Sequence, residues 1–303
     1  ETILIFFLAA AAHFFLSYLE RRSPAPFLYA AIFTALAAWT KPVAAYLLLP
    51  LSLVFLLQRE FIRGIAFATL VALLISPWMF YNLRVYGMFS MTAQGENNFC
   101  GYALMSVLAA EYHKDPSDMA ESAFPPDLQE AKAHCRGPAD AFRIFLSEYP
   151  RAFFKTIFLS SLSFLTNDGY GAFLTGENVS EVKAHHNYLT PAVFAASDWK
   201  EKMAAAWAEL GYAERAAVLA GRIVWSLTAL LASIGMWIAV TRKESRMAAL
   251  TLILLFLYFF SITVASTGFG VGARLRYPVS WVMIIFATLP IERIIYFWRA
   301  RRV

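Results

Sequence analysis

The stretch Arg222-IVWSLTALLASIGMWIA-Val240, the hinge Thr241-Arg242-Lys243-Glu244-Ser245-Arg246 and the run Met247-AALTLILLFLYFFSITVA-Ser266 decide what kind of molecule this is. A bilayer has about 30 Å of hydrocarbon, which an α-helix crosses with about 20 apolar residues. Two runs of that length, separated by a short basic hinge, read as two transmembrane helices. Five further runs lie outward from this pair: Thr2–Leu19, closed by Glu20, Arg21 and Arg22; Phe27–Thr40, ending at Lys41-Pro42; Val43–Leu57, closed by Arg59 and Arg63; Gly64–Leu83, with Pro77 and Trp78 near its end; and Tyr277–Trp298, followed by Arg299, Arg301 and Arg302.

Composition points the same way. Of 303 residues 59% are hydrophobic and only 16% charged, too few to clothe a soluble surface of this size. The formal net charge is +5, but the basic residues cluster at the ends of apolar runs. They read as orientation signals and headgroup contacts rather than as a nucleic-acid surface, and no nucleic-acid-binding motif accompanies them. The reading is an all-α polytopic membrane protein of about seven transmembrane helices, with interfacial helices and one large extracytoplasmic segment. Residues 1–83 hold the first four spans, 84–221 the extracytoplasmic and interfacial segment, and 222–303 the last three spans. The sequence opens on Glu1 inside an apolar run and is expected to be the later part of a longer, N-terminally truncated chain.

Placing the basic loops at 20–24, 58–63, 241–246 and 299–302 in the cytoplasm gives seven crossings a consistent parity. Glu1, Lys41, the 84–221 segment and the 267–276 loop then fall on the outer side. Within the outer segment, Thr92–Asp140 is polar and broken by Pro116, Pro125, Pro126 and Pro138. The stretch Ala139–Phe164 is amphipathic, with Phe142, Phe145, Leu146, Phe153, Phe154, Ile157 and Phe158 around Pro150. With Arg151 and Lys155 beside it, it reads as a helix lying in the interface, the alternative being a short span. Cys100 and Cys135 both fall in the outer segment and suit one disulfide, two unrelated thiols being the alternative. Asn178-Val-Ser180 fits a glycosylation acceptor that matters only in a eukaryotic secretory setting.

Lys41, Arg84, Arg274 and Arg276 all lie at the outer ends of spans. Ionisable residues beside hydrocarbon need a reason. Converging cations at that depth suit an anionic substrate, and arginine grips phosphate in a fork that lysine lacks. Taken singly, each also reads as a headgroup anchor; the close pair in Arg274-Leu-Arg276-Tyr277-Pro278 exceeds what orientation requires. The outer carboxylates are Glu1, Glu96, Glu111, Asp168 and Glu177, and spacing does not choose a general base among them. His13, His113, His134, His185 and His186 lack the spacing of a metal clamp, so no metal site and no divalent-metal requirement is expected. His13 reads as a satisfied polar group inside the bundle. Gly268-Phe-Gly270-Val-Gly272 reads as a flexible loop.

Several stretches resemble, in order, those of the GT-C membrane glycosyltransferases. Ala35-Leu-Ala-Ala-Trp-Thr-Lys41-Pro42 is similar to their G-L-A-x-L-T-[RK]-P signature. Ser76-Pro-Trp78-Met-Phe-Tyr-Asn82-Leu-Arg84-Val-Tyr-Gly87 resembles P-W-x-x-R-N-x-x-x-x-G, with Tyr81-Asn82 in place of arginine-asparagine and Arg84 two residues on. Glu148-Tyr-Pro150 and the aromatics after it resemble an interfacial helix of that family, Arg274-Leu-Arg276-Tyr277-Pro278 resembles R-Y-R-x-P, and Glu1-Thr-Ile-Leu resembles [ST]-E-x-L. The resemblance is to protein O-mannosyltransferases and the aminoarabinose transferase of lipid A. It implies sugar transfer, with inversion, from a polyprenyl-phosphate donor to a glycan, lipid or protein acceptor on the extracytoplasmic face of the inner membrane. It implies a catalytic aspartate upstream of Glu1, with Glu1 near the site. It also implies donor-phosphate contacts from Lys41, Arg84, Arg274 and Arg276, with Tyr277 beside them. Rival readings are another lipid-linked oligosaccharide enzyme such as a ligase or polymerase, a multispanning transporter and a non-catalytic assembly subunit. A transporter would ordinarily carry midplane charges and related halves, which the sequence does not display.

Overall fold

The computed structural model describes residues 1–92, 97–114, 134–167, 194, 196–209, 211–270 and 273–300. Among these residues all regular structure is helical and there is no strand. The sequence readings at Glu96, Asp168, Glu177, Asn178–Ser180, His185, His186 and residues 301–302, residues 93–96 and 115–133 of the polar stretch, and the side chain of Arg274 lie outside the described residues.

Among the described residues five helices are long and apolar enough to cross a membrane: α1 (Thr2–Arg21), α4 (Phe61–Tyr86), α9 (Tyr212–Thr241), α10 (Arg246–Thr267) and the Leu275–Ile295 part of α11 (Ala273–Ala300). The described residues thus form an all-helical fold with spans that suit a multi-pass membrane protein. The other two expected spans fall on shorter apolar helices, Pro24–Thr40 (α2) and Pro42–Leu57. The latter begins as a 3₁₀ helix, Pro42–Leu47, and continues as α3, Leu48–Leu57. Proline sets these limits. Pro24 starts α2 from the first helical turn, where its missing N–H is harmless. Pro42 forces Lys41 into an extended conformation (φ −146°, ψ 112°), which ends α2. α9 begins ten residues ahead of the apolar run at Arg222, because Tyr212–Gly221 is rich in strong helix formers although too polar to read as a span.

Much of the apolar surface of α4 and α9 faces outward. The most apolar window of α4 is 22% buried at a mean hydropathy of 1.8, and that of α9 is 22% buried at 2.0. In water such faces would aggregate; in hydrocarbon they are at home.

The chain packs into two compact units that cut across the three-part division by sequence. One comprises Glu1–Ala93, Thr228–Phe259 and Tyr277–Val303, the other Gln94–Leu227 and Phe260–Arg276.

In the first unit α1 and α2 form an antiparallel hairpin. Leu4, Leu8, Ala11, Phe15 and Tyr18, at helical spacing on α1, are buried, as are Ala30, Ala31, Thr34, Ala35, Ala37 and Ala38 on α2. Phe15, Phe27, Phe55 and Phe67 close the core with ring centroids 5.3 to 6.1 Å apart. The turns after α1 and α3 meet: Glu60 accepts Arg22 at 2.6 Å and Arg63 at 3.2 Å, and the Tyr18 hydroxyl donates to it at 3.3 Å. The loops at 20–24 and 58–63 therefore share one end of this bundle. α9 and α11 approach so closely that a Cβ on Gly235 would fall inside the backbone carbonyl of Phe286. His13, read from sequence as a polar group inside the bundle, is exposed on α1, with its ring beside Phe14 at 5.2 Å. The heptad step from exposed Phe6 carries it to the outward face.

The second unit is built on α5 (Leu104–Glu111), α6 (Pro138–Ser147) and α7 (Pro150–Thr166), with α8 (Trp199–Glu209) and the adjoining parts of α9, α10 and α11. The amphipathic stretch read as one interfacial helix is two helices, because Pro150 takes the first position of a new one. Phe145 and Phe153 stack at 5.3 Å and belong to a buried cluster with Leu104, Val107 and Leu108 of α5. Phe154, Phe158 and Leu162, at i, i+4 and i+8, form a separate exposed stripe on α7. A disulfide joins Cys100 to Cys135 with Cα atoms 5.6 Å apart, at the edge of the same cluster.

Candidate functional site

The residues singled out by sequence are divided between the two units. Glu1, Lys41, Arg84 and Tyr277 belong to the first and Arg276 to the second.

Two of them meet. Lys41 follows α2 and Glu1 precedes α1, so the antiparallel hairpin brings both to one end of the pair. There Lys41 Nζ lies 3.6 Å from Glu1 Oε1, with the side chains 36% and 39% exposed. A half-exposed pair at this distance is held loosely and contributes at most about 1 kcal/mol. Lys41 is thus positioned by a carboxylate yet open to a second anion. The Tyr258 hydroxyl donates to the Val43 carbonyl at 2.5 Å, tying α10 to the turn after Lys41.

The stretch from Ser76 to Gly87 folds back on itself. Gly87 ends α4 in the left-handed region (φ 71°), where glycine carries no Cβ penalty. The chain returns along the helix, and the buried Asn82 amide donates to the carbonyls of Ser90 (2.7 Å) and Met91 (3.3 Å). Trp78 donates to Met91 as well and stacks on Tyr81 at 5.5 Å. Asn82 and Trp78 therefore shape this turn, while Arg84 stands exposed in the last turn of α4, where its charge complements the helix dipole. Tyr277 is half-buried, and Glu111 is exposed at the end of α5.

Arg276 is placed differently. It is fully buried, at 0% exposure. Its guanidinium donates to the Phe164 carbonyl at 2.8 Å and the Asn167 carbonyl at 2.6 Å, at the C-terminal end of α7. Its central carbon lies 3.7 Å from the centroid of the Trp225 ring. Helix C-termini leave carbonyls without intrahelical partners and carry partial negative charge, so a cation there is well satisfied. The sequence suggested a phosphate contact; the structure engages the group with two carbonyls and an indole. Trp225 carried no signal for this role, being one aromatic among many in a span.

The glycine-rich turn after α10 also departs from its reading as a flexible loop. Gly268 is left-handed (φ 51°), and a Cβ there would overlap Ser106. Ser160 donates to the Gly268 carbonyl at 2.7 Å, and the Phe269 N–H donates to Ser106 Oγ at 2.9 Å. Glycine serves here for close approach, and the turn is pinned to α5 and α7.

Among the described residues no three His, Cys, Asp or Glu side chains converge as metal ligands would. No family model, no curated protein and no solved structure matches this chain.

Proposed function

We propose that the protein is a membrane glycosyltransferase that moves a sugar from a polyprenyl-phosphate donor to an acceptor at the extracytoplasmic face of the inner membrane. Seven crossings fit this reading. α2 and the Pro42–Leu57 segment are short, but at about 1.5 Å per α-residue and 2.0 Å per 3₁₀ residue each reaches about 25 Å, nearly the hydrocarbon thickness. The shared end of the 20–24 and 58–63 turns, opposite the Glu1–Lys41 end of α1 and α2, agrees with basic loops on one side and the site on the other.

The observation that carries the proposal is the Glu1–Lys41 pair. It joins two of the stretches that resemble the family, and it holds a half-exposed cation beside a carboxylate at one end of two apolar helices. Lys41, with Arg84, would stabilise the phosphate that leaves as the glycosidic bond breaks. A carboxylate, upstream of Glu1 by the resemblance, would take the acceptor proton. Arg276 supports the scaffold in this scheme and is not assigned to the phosphate.

The test is incubation of purified full-length protein in lipid nanodiscs with labelled polyprenyl-phosphate sugar and, separately, polyprenyl-diphosphate sugar. Sugar loss from the monophosphate alone is the expected result. Turnover of the diphosphate alone points to a ligase or polymerase, and turnover of neither, with uptake of solute into proteoliposomes, points to a transporter.

A further inference from the structure

α3 and α4 are antiparallel neighbours joined by the turn Gln58-Arg59-Glu60, and a cavity of about 400 Å³ lies between them. Leu49, Leu53 and Leu56 line it from α3, and Phe61, Ile65 and Ala68 from α4, each set at helical spacing on one face. Gly64 lies against Phe55 at the floor, where a Cβ would stand 3.1 Å from the phenylalanine Cβ. The volume is within the range of small-ligand sites, about 300 to 1,000 Å³. Apart from the Ser52 hydroxyl its walls are hydrocarbon.

The turn that closes one end of this groove is built in an unusual way. α3 ends in a Schellman motif: the Glu60 N–H donates to the Phe55 carbonyl and the Arg59 N–H to the Leu56 carbonyl, each at 2.9 Å. The left-handed position of that motif normally holds glycine, and here it holds Arg59, at φ 61°. Arg22 and Arg63, at the same end, both bind Glu60. Arg59 is exposed, and its guanidinium has no ion pair or hydrogen bond among the described residues. Its neighbours Leu56 and Phe61 both line the groove. A cation held in a strained backbone position at the end of an apolar groove fits an anionic headgroup above an acyl chain, and basic sites between membrane helices recognise such lipids.

We infer that the α3–α4 groove holds one acyl chain of an anionic phospholipid whose phosphate is bound by Arg59. This site is independent of the sugar-transfer proposal and uses none of its residues.

The test places a bimane on Ser52→Cys, a lone reactive thiol because Cys100 and Cys135 are joined. The full chain is reconstituted in phosphatidylcholine vesicles with brominated-chain phosphatidylglycerol or brominated-chain phosphatidylcholine as quencher. A bimane at Leu73→Cys, exposed farther along α4, reports bulk lipid. Phosphatidylglycerol is expected to be preferred about fivefold at position 52, as one basic residue at a membrane surface supplies, with no preference at position 73. Arg59→Gly abolishes the preference while the thermal midpoint holds or rises, because glycine relieves the left-handed position. Glycerol phosphate leaves quenching unchanged. Equal preference at both positions, or a preference that survives Arg59→Gly, overturns the proposal; displacement by glycerol phosphate overturns its acyl-chain half.

Discussion

Arg276 lies with its guanidinium carbon 3.7 Å from the centre of the Trp225 ring while its nitrogens bind the Phe164 and Asn167 carbonyls. One side chain thereby ties the start of α11 to α9 and to the end of α7. Removing the guanidinium leaves both carbonyls without this donor, a loss of about 1 to 3 kcal/mol for each. Arg276→Lys keeps the charge but cannot reach both carbonyls in a fork, so it should lower the unfolding midpoint in detergent nearly as far as Arg276→Ala. Trp225→Leu should cost about 2 kcal/mol through the lost cation–π contact. The double variant should fall short of the sum by about 1 to 2 kcal/mol, as for any pair in direct contact. Additive losses would show that the stack contributes nothing.

Gly268 makes a second buried junction, with Ser106 of α5 and Ser160 of α7. Gly268→Ala combines a left-handed penalty of about 1 to 2 kcal/mol with overpacking of about 1 to 3 kcal/mol against Ser106. Ser106→Ala strands the Phe269 N–H, a loss of about 1 to 3 kcal/mol. Thermal unfolding should show Gly268→Ala to be the more damaging. A flexible loop would tolerate both.

Cys100 and Cys135 are 35 residues apart in sequence. Loop-closure entropy for that separation corresponds to about 4 kcal/mol. Reduction, or Cys135→Ser, should expose cleavage sites within 97–114 to protease while leaving helix content by far-UV circular dichroism within about a tenth of the starting value. Unchanged proteolysis after reduction would mean that the cross-link constrains nothing.

What the sequence discloses follows from the range of each interaction. Apolar runs and their basic ends are local, and the long helices α1, α4, α10 and α11 lie where those runs lie. Proline limits are local too, and Pro24, Pro42 and Pro150 each start a helix. The Arg276 clasp depends on a carbonyl 112 residues away, and the Gly268 turn on a serine hydroxyl 108 residues away. Neither has a periodic signature. A glycine needed for close approach and one needed for flexibility are the same letter, and a cation bound to carbonyls looks like one facing phosphate. The Glu1–Lys41 pair was half legible, since both residues stand at span ends on the same assigned side, but only the hairpin packing brings them to 3.6 Å.

The most direct measurement is donor turnover in a charge swap. Glu1→Lys with Lys41→Glu keeps an ion pair between α1 and α2 but exchanges its charges. If Lys41 serves the leaving phosphate, full-length protein carrying the swap should unfold at the wild-type midpoint and yet transfer labelled sugar from polyprenyl phosphate at least about 100-fold more slowly, the scale of losing one electrostatic stabiliser of a leaving group. Wild-type transfer by a fully folded swapped protein would contradict the role of Lys41 in sugar transfer.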